Sequence, residues 1–219
     1  MSDNIQIRII KEQDYGEVLE FMRKNFYAYE PLNVSKPMEP ENEEFFKPFI
    51  PQGLSLMAEE VLISAQGDET RKLVGATIAG KNDPGQVDYL KKLAAQGDAK
   101  SHFVHVMNFL VVLESGSNVF KRFGVTKTVH SHMTAVDESQ RGKGIGIRLR
   151  KALMALGKER GYTLMTVDCT SYYSARQCEN LGMECVNMIY YKDYVDAEGK
   201  PYFNVKPPHD RARSFVMHL

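Results

Sequence analysis

The amino-acid sequence predicts an α/β (α+β) fold, a single domain with a mixed central β-sheet of about seven strands and helices on both faces. Segments with strand periodicity alternate with segments of helical periodicity along all 219 residues. A glycine-rich turn joins a strand to a helix in the second half of the chain. A hydrophobic content of 43% is enough for one sizeable core, so residues 1–219 are expected to fold together.

The chain opens with a strand and an amphipathic helix. Apolar and polar residues alternate over residues 5–9, which predicts a half-buried strand, and apolar residues recur at helical spacing over residues 18–26. The helix should end near Glu30, because the residue before a proline, here Pro31, is disfavoured in the helical conformation. This position would place the Glu30 carboxylate in an exposed bend.

The rest of the chain alternates between strands and helices. The predicted elements are, in order, a hairpin of residues 61–65 and 73–79, helices over 88–95 and 101–113, a strand over 126–136, a helix over 147–160, a strand over 163–169, a helix over 173–181, and a hairpin of residues 185–194 and 202–205. Residues 54–60 fit a strand or a helix. Gly97, Gly116, Gly161 and Gly182 are expected to end helices, and the helix over 101–113 opens on a capping serine.

Charge and cysteine content exclude several classes of function. The 28 basic and 28 acidic residues give a formal net charge of zero, so no global field draws the protein to nucleic acid or anionic lipid. Three cysteines without a CxxC pair favour reduced thiols. The longest apolar run, residues 103–113, is shorter than the roughly 20 residues of a membrane span, and the start of the chain lacks a secretory pattern. We expect a cytoplasmic monomer that binds neither nucleic acid nor membrane.

The glycine-rich turn is the strongest local signal for a binding site. Its backbone N–H groups and the following helix dipole can receive a phosphate, with the basic side chains nearby. The turn matches neither the Walker spacing nor the dinucleotide spacing of glycines. A merely tight strand-to-helix turn is the alternative. Its six residues are Arg141, Gly142, Lys143, Gly144, Ile145 and Gly146.

Three motifs carry a resemblance to a known family. Arg141-x-x-Gly144-x-Gly146 resembles the acyl-CoA pyrophosphate loop of the GNAT N-acetyltransferase superfamily. Residues 29–33 (Tyr-Glu-Pro-Leu-Asn) and residues 168–176 (Asp-Cys-Thr-Ser-Tyr-Tyr-Ser-Ala-Arg) resemble two signatures of insect-type arylalkylamine N-acetyltransferases. The resemblance covers nearly the whole chain, and is loosest over residues 37–124.

The resemblance implies a GNAT-like domain with acetyl-CoA as co-substrate and no metal. Acetyl would pass directly to a small primary amine through a tetrahedral adduct. The backbone of Thr134, Ala135 and Val136 would bind the pantetheine arm and polarise the thioester carbonyl, while the six residues of the glycine-rich turn would hold the pyrophosphate. Ser174 would also contact the cofactor.

Glu30 is the candidate general base. A primary amine has a pKa near ~10, so it arrives protonated and needs a base before it can attack a thioester. By resemblance Glu30 matches the proposed base of the insect enzymes, and a pocket lined by Tyr27, Tyr29 and Pro31 would raise its pKa. A solvated acid at a helix end is the alternative. The resemblance also assigns Tyr29 and Pro31 to the substrate site.

His130 and His132 are a second candidate set, because alternation along a strand puts both side chains on one face. The pair resembles the one thought to relay protons in the vertebrate serotonin N-acetyltransferase. A structural polar pair is an equally open interpretation. Half of a metal site is less favoured, because the sequence shows no third or fourth ligand in register.

The hydroxyl groups of residues 170–174 are candidates for protonating the departing CoA thiolate. Thr170 and Ser174 align with the two serines of the insect signature, Tyr173 is a second choice, and one hydroxyl should cap the following helix. Ser171 is assigned to the substrate site. Cys169 is expected to be an inert, partly buried thiol.

The carboxyl-terminal segment and the identity of the amine leave alternatives open. By resemblance His209 approaches the substrate pocket, whereas a solvated tail is the competing interpretation. Aromatic side chains suit the ring of an arylalkylamine such as dopamine, tyramine or serotonin, and they suit the cation of a polyamine such as agmatine by contact with π faces. An arylalkylamine satisfies both contacts at once, so it is the expected substrate, with a polyamine as the alternative. A peptide or protein N-acetyltransferase and a noncatalytic acetyl-CoA sensor are the remaining alternatives.

Overall fold

A computed structural model of the chain describes residues 4–33 and 36–219. Its seven strands form one mixed sheet in the order β1-β2-β3-β4-β5-β7-β6. The strands are β1 Ile5–Ile9, β2 Leu56–Ile63, β3 Glu69–Asn82, β4 Thr128–Val136, β5 Leu164–Cys169, β6 Glu184–Tyr190 and β7 Arg211–His218. The α-helices are α1 Tyr15–Met22, α2 Gln86–Gln96, α3 His102–Ser117, α4 Val119–Phe123, α5 Ile145–Glu159 and α6 Tyr172–Asn180. The predicted fold class is confirmed.

Helices cover both faces of the sheet because each face of the central strands is apolar. On one face, α1, α2 and α3 pack with the 3-10 segment Pro40–Gln52 around side chains such as Met22, Phe46 and Phe109. On the other face, α5 and α6 pack through Leu149, Leu153 and Cys178. The two cores are separated by the sheet.

The central strands β4 and β5 separate near the middle of the sheet. They pair in parallel only from Val129 with Met165 to Ser131 with Val167. Beyond Ser131, β4 continues to Val136 in antiparallel pairing with β3. The edge of β4 that faces β5 therefore opens into a gap at the carboxyl ends of the two strands.

The predicted carboxyl-terminal hairpin is wrong. Strand β6 pairs with β7, and β7 lies between β5 and β6. The turn at residues 196–199 closes only a single bridge, between Val195 and Pro201. Residues 202–205 form no strand, because their aromatic side chains pack against α3, where the Tyr202 ring stacks on His105 at 3.7 Å.

Smaller differences concern element boundaries. By sequence, residues 54–60 fit a strand or a helix. In the structure, residues 56–60 of this stretch belong to strand β2. Gly116 lies inside α3, which ends one residue later at Ser117 and is followed by Asn118 in the left-handed region. Ser101 caps α3 as predicted, since its hydroxyl accepts a hydrogen bond from the N–H of Val104.

The apolar helical stretch is longer than the sequence pattern indicated, because α4 follows α3 after one residue. Within residues His102–Phe123, an 18-residue window has a mean hydropathy of 1.3, and by length and composition alone this stretch could cross a membrane. The buried side chains of α3, including Phe103, Met107 and Leu113, belong to the core described above. A core helix of a folded domain has the same composition.

Candidate active site

A cavity of about 130 Å³ lies between the α1–α3 layer and the gap between β4 and β5. Its wall is mostly apolar and includes Phe26, Tyr27, Phe45, Phe49 and Tyr89. Polar side chains from both central strands and from α6 complete the wall. A small molecule with an apolar body and few polar groups fits such a lining.

Glu30 lies in this cavity, with its side chain directed inward. The residue is only 9% exposed, so the expected exposed bend is wrong. A π-helical turn at Arg23–Tyr27 and a 3-10 turn at Pro31–Asn33 fold the segment over the sheet instead. Thr170 Oγ1 donates a hydrogen bond to Glu30 Oε2 at 2.9 Å, and the N–H of Leu32 donates to Oε1 at 3.3 Å.

The environment of Glu30 raises its pKa to about 7 from the usual 4.5. Burial is the main cause, because it disfavours the charged form, and the hydrogen bonds from Thr170 and Leu32 oppose it. Burial in the cavity thus raises the pKa of Glu30, which is the direction that the sequence analysis predicted. A carboxyl group with this pKa exchanges its proton near neutral pH, as a general base must.

The hydroxyl groups at the start of α6 have distinct partners. Ser171 Oγ accepts a hydrogen bond from the N–H of Ser174, so Ser171 is the helix cap. Thr170 donates to Glu30, whereas Ser174 Oγ donates to Cys169 Sγ at 3.2 Å and accepts from Arg150 Nη2 at 2.7 Å. Thr170, Ser171 and Ser174 all line the cavity.

His130 and His132 lie on the same face of β4 and both line the cavity, as the alternation predicted. Their ring centroids are 4.5 Å apart, and His132 stacks on Phe49 at 4.0 Å. His130 Nδ1 is 2.8 Å from Thr166 Oγ1. Burial lowers the pKa of both imidazoles, that of His132 well below its usual value, so both rings are neutral near pH 7.

Two carboxyl groups that the sequence analysis missed lie beside His130. One potential ligand atom each of Glu114, His130 and Asp168 lie within 4.8 Å of one another. The sequence showed no further ligand near the histidine pair, and the structure supplies two. Asn82 Nδ2 donates to Glu114 Oε2 at 3.2 Å, and Ser214 Oγ donates to Asp168 Oδ1 at 2.6 Å.

Both carboxyl groups have raised pKa values. Burial and the nearby Asp168 raise the pKa of Glu114 to about 8, and burial raises the pKa of Asp168. Like charges at this separation disfavour double ionisation. A possible sequence signal was a lone acid inside the apolar helix α3, and an acid at the end of the buried strand β5.

The glycine-rich turn has the backbone that its sequence demands. Gly142 and Gly144 both have φ of +80°, a region that favours glycine, and a Cβ atom added at either would meet nothing within 4 Å. The space above the turn is therefore open. Helix α5 begins at Ile145, and its first N–H groups have no acceptor within the helix. The turn can bind an anion in the predicted way.

Tyr29 lies at the glycine-rich turn, outside the residues that line the Glu30 cavity. It is 46% exposed, its hydroxyl donates to Glu138 Oε2 at 3.0 Å, and the Arg141 guanidinium lies 4.0 Å from its ring centroid. Tyr29 therefore does not contribute to the aromatic lining expected around Glu30. Arg141 Nε also donates to the carbonyl of Val136 at 3.3 Å, which ties the turn to the end of β4.

Pro31 and His209, the two other candidate substrate residues, are not among the described residues that line the cavity. Pro31 is buried in the 3-10 turn after Glu30. His209 Nδ1 accepts a hydrogen bond from the N–H of Tyr172 at 3.1 Å, and its ring meets Tyr173 edge-on at 5.7 Å. His209 is thus fixed at the start of α6 rather than in a solvated tail.

Cys169 has the surroundings of an unreactive thiol. Burial raises its pKa well above the ordinary value, and its Sγ lies 3.5 Å from Cys178 Sγ. A protonated thiol is a poor nucleophile. Of the residues proposed to hold the pantetheine arm, Thr134 lines the cavity, and Ala135 and Val136 continue β4 along the open gap.

Comparison with known proteins agrees with this architecture. Residues 20–179 match the sequence profile of the Acetyltransferase (GNAT) family, and the chain belongs to that family. The matched stretch includes Glu30, the glycine-rich turn and Ser174. Members of the family use acetyl-CoA as co-substrate, which fits an open glycine-rich turn beside a gap between two central strands.

Solved structures of insect enzymes are similar over the whole chain. Mosquito arylalkylamine N-acetyltransferase like 5b shares 30% identity, with a TM-score of 0.87 over 98% of this chain and 100% of that one. Arylalkylamine N-acetyltransferase 2 from Aedes aegypti shares 27% identity, with a TM-score of 0.85 over 99% of each chain. A Drosophila melanogaster polyamine N-acetyltransferase that forms N-acetylagmatine shares 29% identity, with a TM-score of 0.85 over 98% and 100%. The resemblance to insect-type arylalkylamine N-acetyltransferases is confirmed.

Proposed function

We propose that this acetyltransferase transfers acetyl from acetyl-CoA to small arylalkylamines, with Glu30 as the general base. The observation that carries the proposal is the buried Glu30 carboxyl group inside an aromatic cavity, with a pKa of about 7. This group can take the proton of a bound ammonium near neutral pH, and the neutral amine then attacks the thioester carbonyl. Amide forms as the carbon–sulfur bond breaks, with no metal and no covalent enzyme intermediate.

The surrounding residues support this chemistry. The Thr170 hydroxyl and the Leu32 N–H hold the two carboxyl oxygens of Glu30, which fixes the direction of the base. The backbone at Thr134 and the following residues of β4 is suited to polarise the thioester carbonyl, and the glycine-rich turn to hold the pyrophosphate. His130 and His132 line the same cavity as Glu30, His130 lies beside Glu114, and the pair offers a path for the released proton.

The aromatic lining favours a ring-bearing amine. Phe45, Phe49 and Tyr89 can pack against an aromatic substrate, and Tyr27 can contact its ammonium group. Helices α2 and α3 and the 3-10 segment Pro40–Gln52 cover the cavity. This cover disfavours a peptide or protein substrate, which needs an open groove.

Agmatine and related polyamines are the second candidate class. Glu114 and Asp168 line the same cavity as Glu30, so a second cationic group on the substrate would find a carboxylate there. Replacing both acids, by Glu114→Gln together with Asp168→Asn, should then lower kcat/KM for agmatine by roughly tenfold or more, while kcat/KM for tyramine changes little. Equal effects on both amines would contradict a role for these two acids in binding a second cation.

An initial-rate screen tests the proposed function. Acetyl-CoA would be combined with tyramine, dopamine, serotonin, agmatine, putrescine and a short peptide. We expect the highest kcat/KM with an arylalkylamine, and a loss of roughly 10²–10⁴-fold in Glu30→Gln with acetyl-CoA affinity retained. Glu198→Gln, a change at a side chain that is 74% exposed, is the matched control.

Three outcomes contradict parts of the proposal. Binding of acetyl-CoA without turnover of any amine would indicate a sensor. Preference for the peptide would indicate a protein N-acetyltransferase. An unchanged pH–rate profile in Glu30→Gln would remove Glu30 from the role of base.

A further inference from the structure

Arg150 is a buried cation whose partners do not account for its charge. It is 2% exposed, and its Nη2 atom donates to Ser174 Oγ at 2.7 Å. Among the side chains that the structure describes, its Nε and Nη1 atoms have no hydrogen-bond partner and it forms no salt bridge. Buried charges are unfavourable unless paired, so these two N–H donors require an explanation.

Arg150 reaches the active-site cavity from the opposite side of the sheet. It lies on α5, the helix that starts at the glycine-rich turn, yet it lines the same cavity as Glu30, Thr170 and Ser174. The gap between β4 and β5 is the passage through which a side chain from this face can reach the cavity. A cation from the helix that starts at the glycine-rich turn therefore shares the cavity with Glu30.

We propose that Arg150 binds the sulfur of coenzyme A as the thiolate leaves, together with Ser174; this inference rests on the proposed function. When the amine nitrogen bonds to the carbonyl carbon, the carbon–sulfur bond breaks and its electron pair stays on sulfur. Glu30 first passes the ammonium proton on through the His130 and His132 pair, and it then takes the second proton, which the nitrogen loses as the amide forms. Arg150 gives up no proton and compensates the charge on sulfur with its free N–H donors.

The local electrostatics support this assignment. The charge of Arg150 acts to lower the pKa of the two thiols nearest to it, Cys169 and Cys178, although burial dominates at Cys169. A cation beside a thiol favours the thiolate in general. Ser174 uses its oxygen to accept from Arg150, so its own O–H remains able to donate, at present to Cys169 Sγ.

The test measures the protonation of bound coenzyme A without any amine. Ultraviolet absorbance of the thiolate would be followed against pH for the complex with coenzyme A, and the complex with desulfo-coenzyme A would be subtracted to remove the cysteines of the protein. In the wild type the bound thiol should have a pKa at least about one below that of a free thiol, near ~8.5. In Arg150→Gln this difference should disappear, while the affinity for desulfo-coenzyme A changes less than about threefold.

Arg150→Lys is the matched variant, because it keeps the charge and loses the planar donor geometry; part of the lowered pKa should remain. If Arg150→Gln does not fold, the thiol titration of Arg150→Lys takes its place in the test. Identical thiol titrations in the wild type and in the charge-removing variant, both with coenzyme A bound, would overturn the inference. So would an equal loss of affinity for coenzyme A and for its desulfo analogue. Failure of the wild type to bind coenzyme A would instead refute the proposed function.

Discussion

Replacing Glu30 by glutamine should change the pH dependence of stability in a direction that the cavity dictates. Burial raises the pKa of Glu30 to about 7, from 4.5 in an exposed chain. A group with a raised pKa in the folded state contributes stability that is complete below its unfolded pKa and lost as pH rises through its folded pKa. The wild type must therefore pay an ionisation cost at alkaline pH that the glutamine variant does not.

The magnitude follows from the two pKa values. A difference of roughly 2.5 between folded and unfolded states is worth about 3 kcal/mol when fully expressed, and about 2.5 kcal/mol of it falls between roughly pH 5 and pH 8.5. Glutamine has one carboxamide oxygen, so it cannot accept from both Thr170 and Leu32 as the carboxylate does. The carboxylate is present only above the folded pKa, and its hydrogen bonds are already contained in that pKa. Below it the wild-type carboxyl is protonated and has one carbonyl oxygen, as glutamine has. The variant should therefore be about as stable as the wild type at acid pH and more stable at alkaline pH.

Urea denaturation at several pH values measures this effect as the difference between the two free energies of unfolding. Taking the difference cancels groups that titrate alike in both proteins, including the pair Glu114 and Asp168. Glu198→Gln, at a side chain that is 74% exposed, is the matched control. A flat difference for Glu30→Gln would refute the buried state of Glu30 and its raised pKa.

Three further outcomes are expected. Thr170→Val removes the hydrogen bond that lowers the Glu30 pKa, so the acid limb of kcat/KM against pH should move up by about one pH unit, and Thr170→Ser should keep the wild-type limb. Gly144→Ala forces a side chain to φ of +80°, and it should weaken acetyl-CoA binding at least about tenfold, as measured by calorimetry. Gly199→Ala, at φ of +78° in a distant turn, is the control. Both variants should lose about 1 kcal/mol of stability, but Gly199→Ala should keep the wild-type affinity. Gly75→Ala would place a Cβ atom 2.9 Å from an α5 side chain and should cost about 1–3 kcal/mol in chemical denaturation; no loss would contradict the close contact between β3 and α5.

Part of the candidate site could be read from local sequence. The proline after Glu30 indicated where the first helix ends, and alternation along one strand indicated that His130 and His132 share a face. The direction of the Glu30 side chain could not be read in this way, because it depends on two tight turns and on the hydrogen bond from Thr170, which is 140 residues away.

Glu114 and Arg150 show why the rest of the site was missed. Arginine on an amphipathic helix usually faces solvent, so Arg150 gave no local signal, and its burial follows from the separation of β4 and β5, which opens a passage through the sheet. Glu114 stood out only as a lone acid in an apolar helix, and it meets His130 and Asp168 because folding brings α3 next to β4 and β5. Pairing between β5 and β7 is likewise set by residues distant in the chain, so the local turn at 196–199 suggested the wrong partner for β6.

The sequence by itself determined the type of most elements, the left-handed glycines of the anion-binding turn and the membership of an acetyltransferase family, because periodicity, backbone preference and short motifs act over a few residues. Only the tertiary structure decided which charged groups lose water. The raised pKa values of Glu30, Glu114 and Asp168 and the free donors of Arg150 all depend on burial by segments that meet through folding.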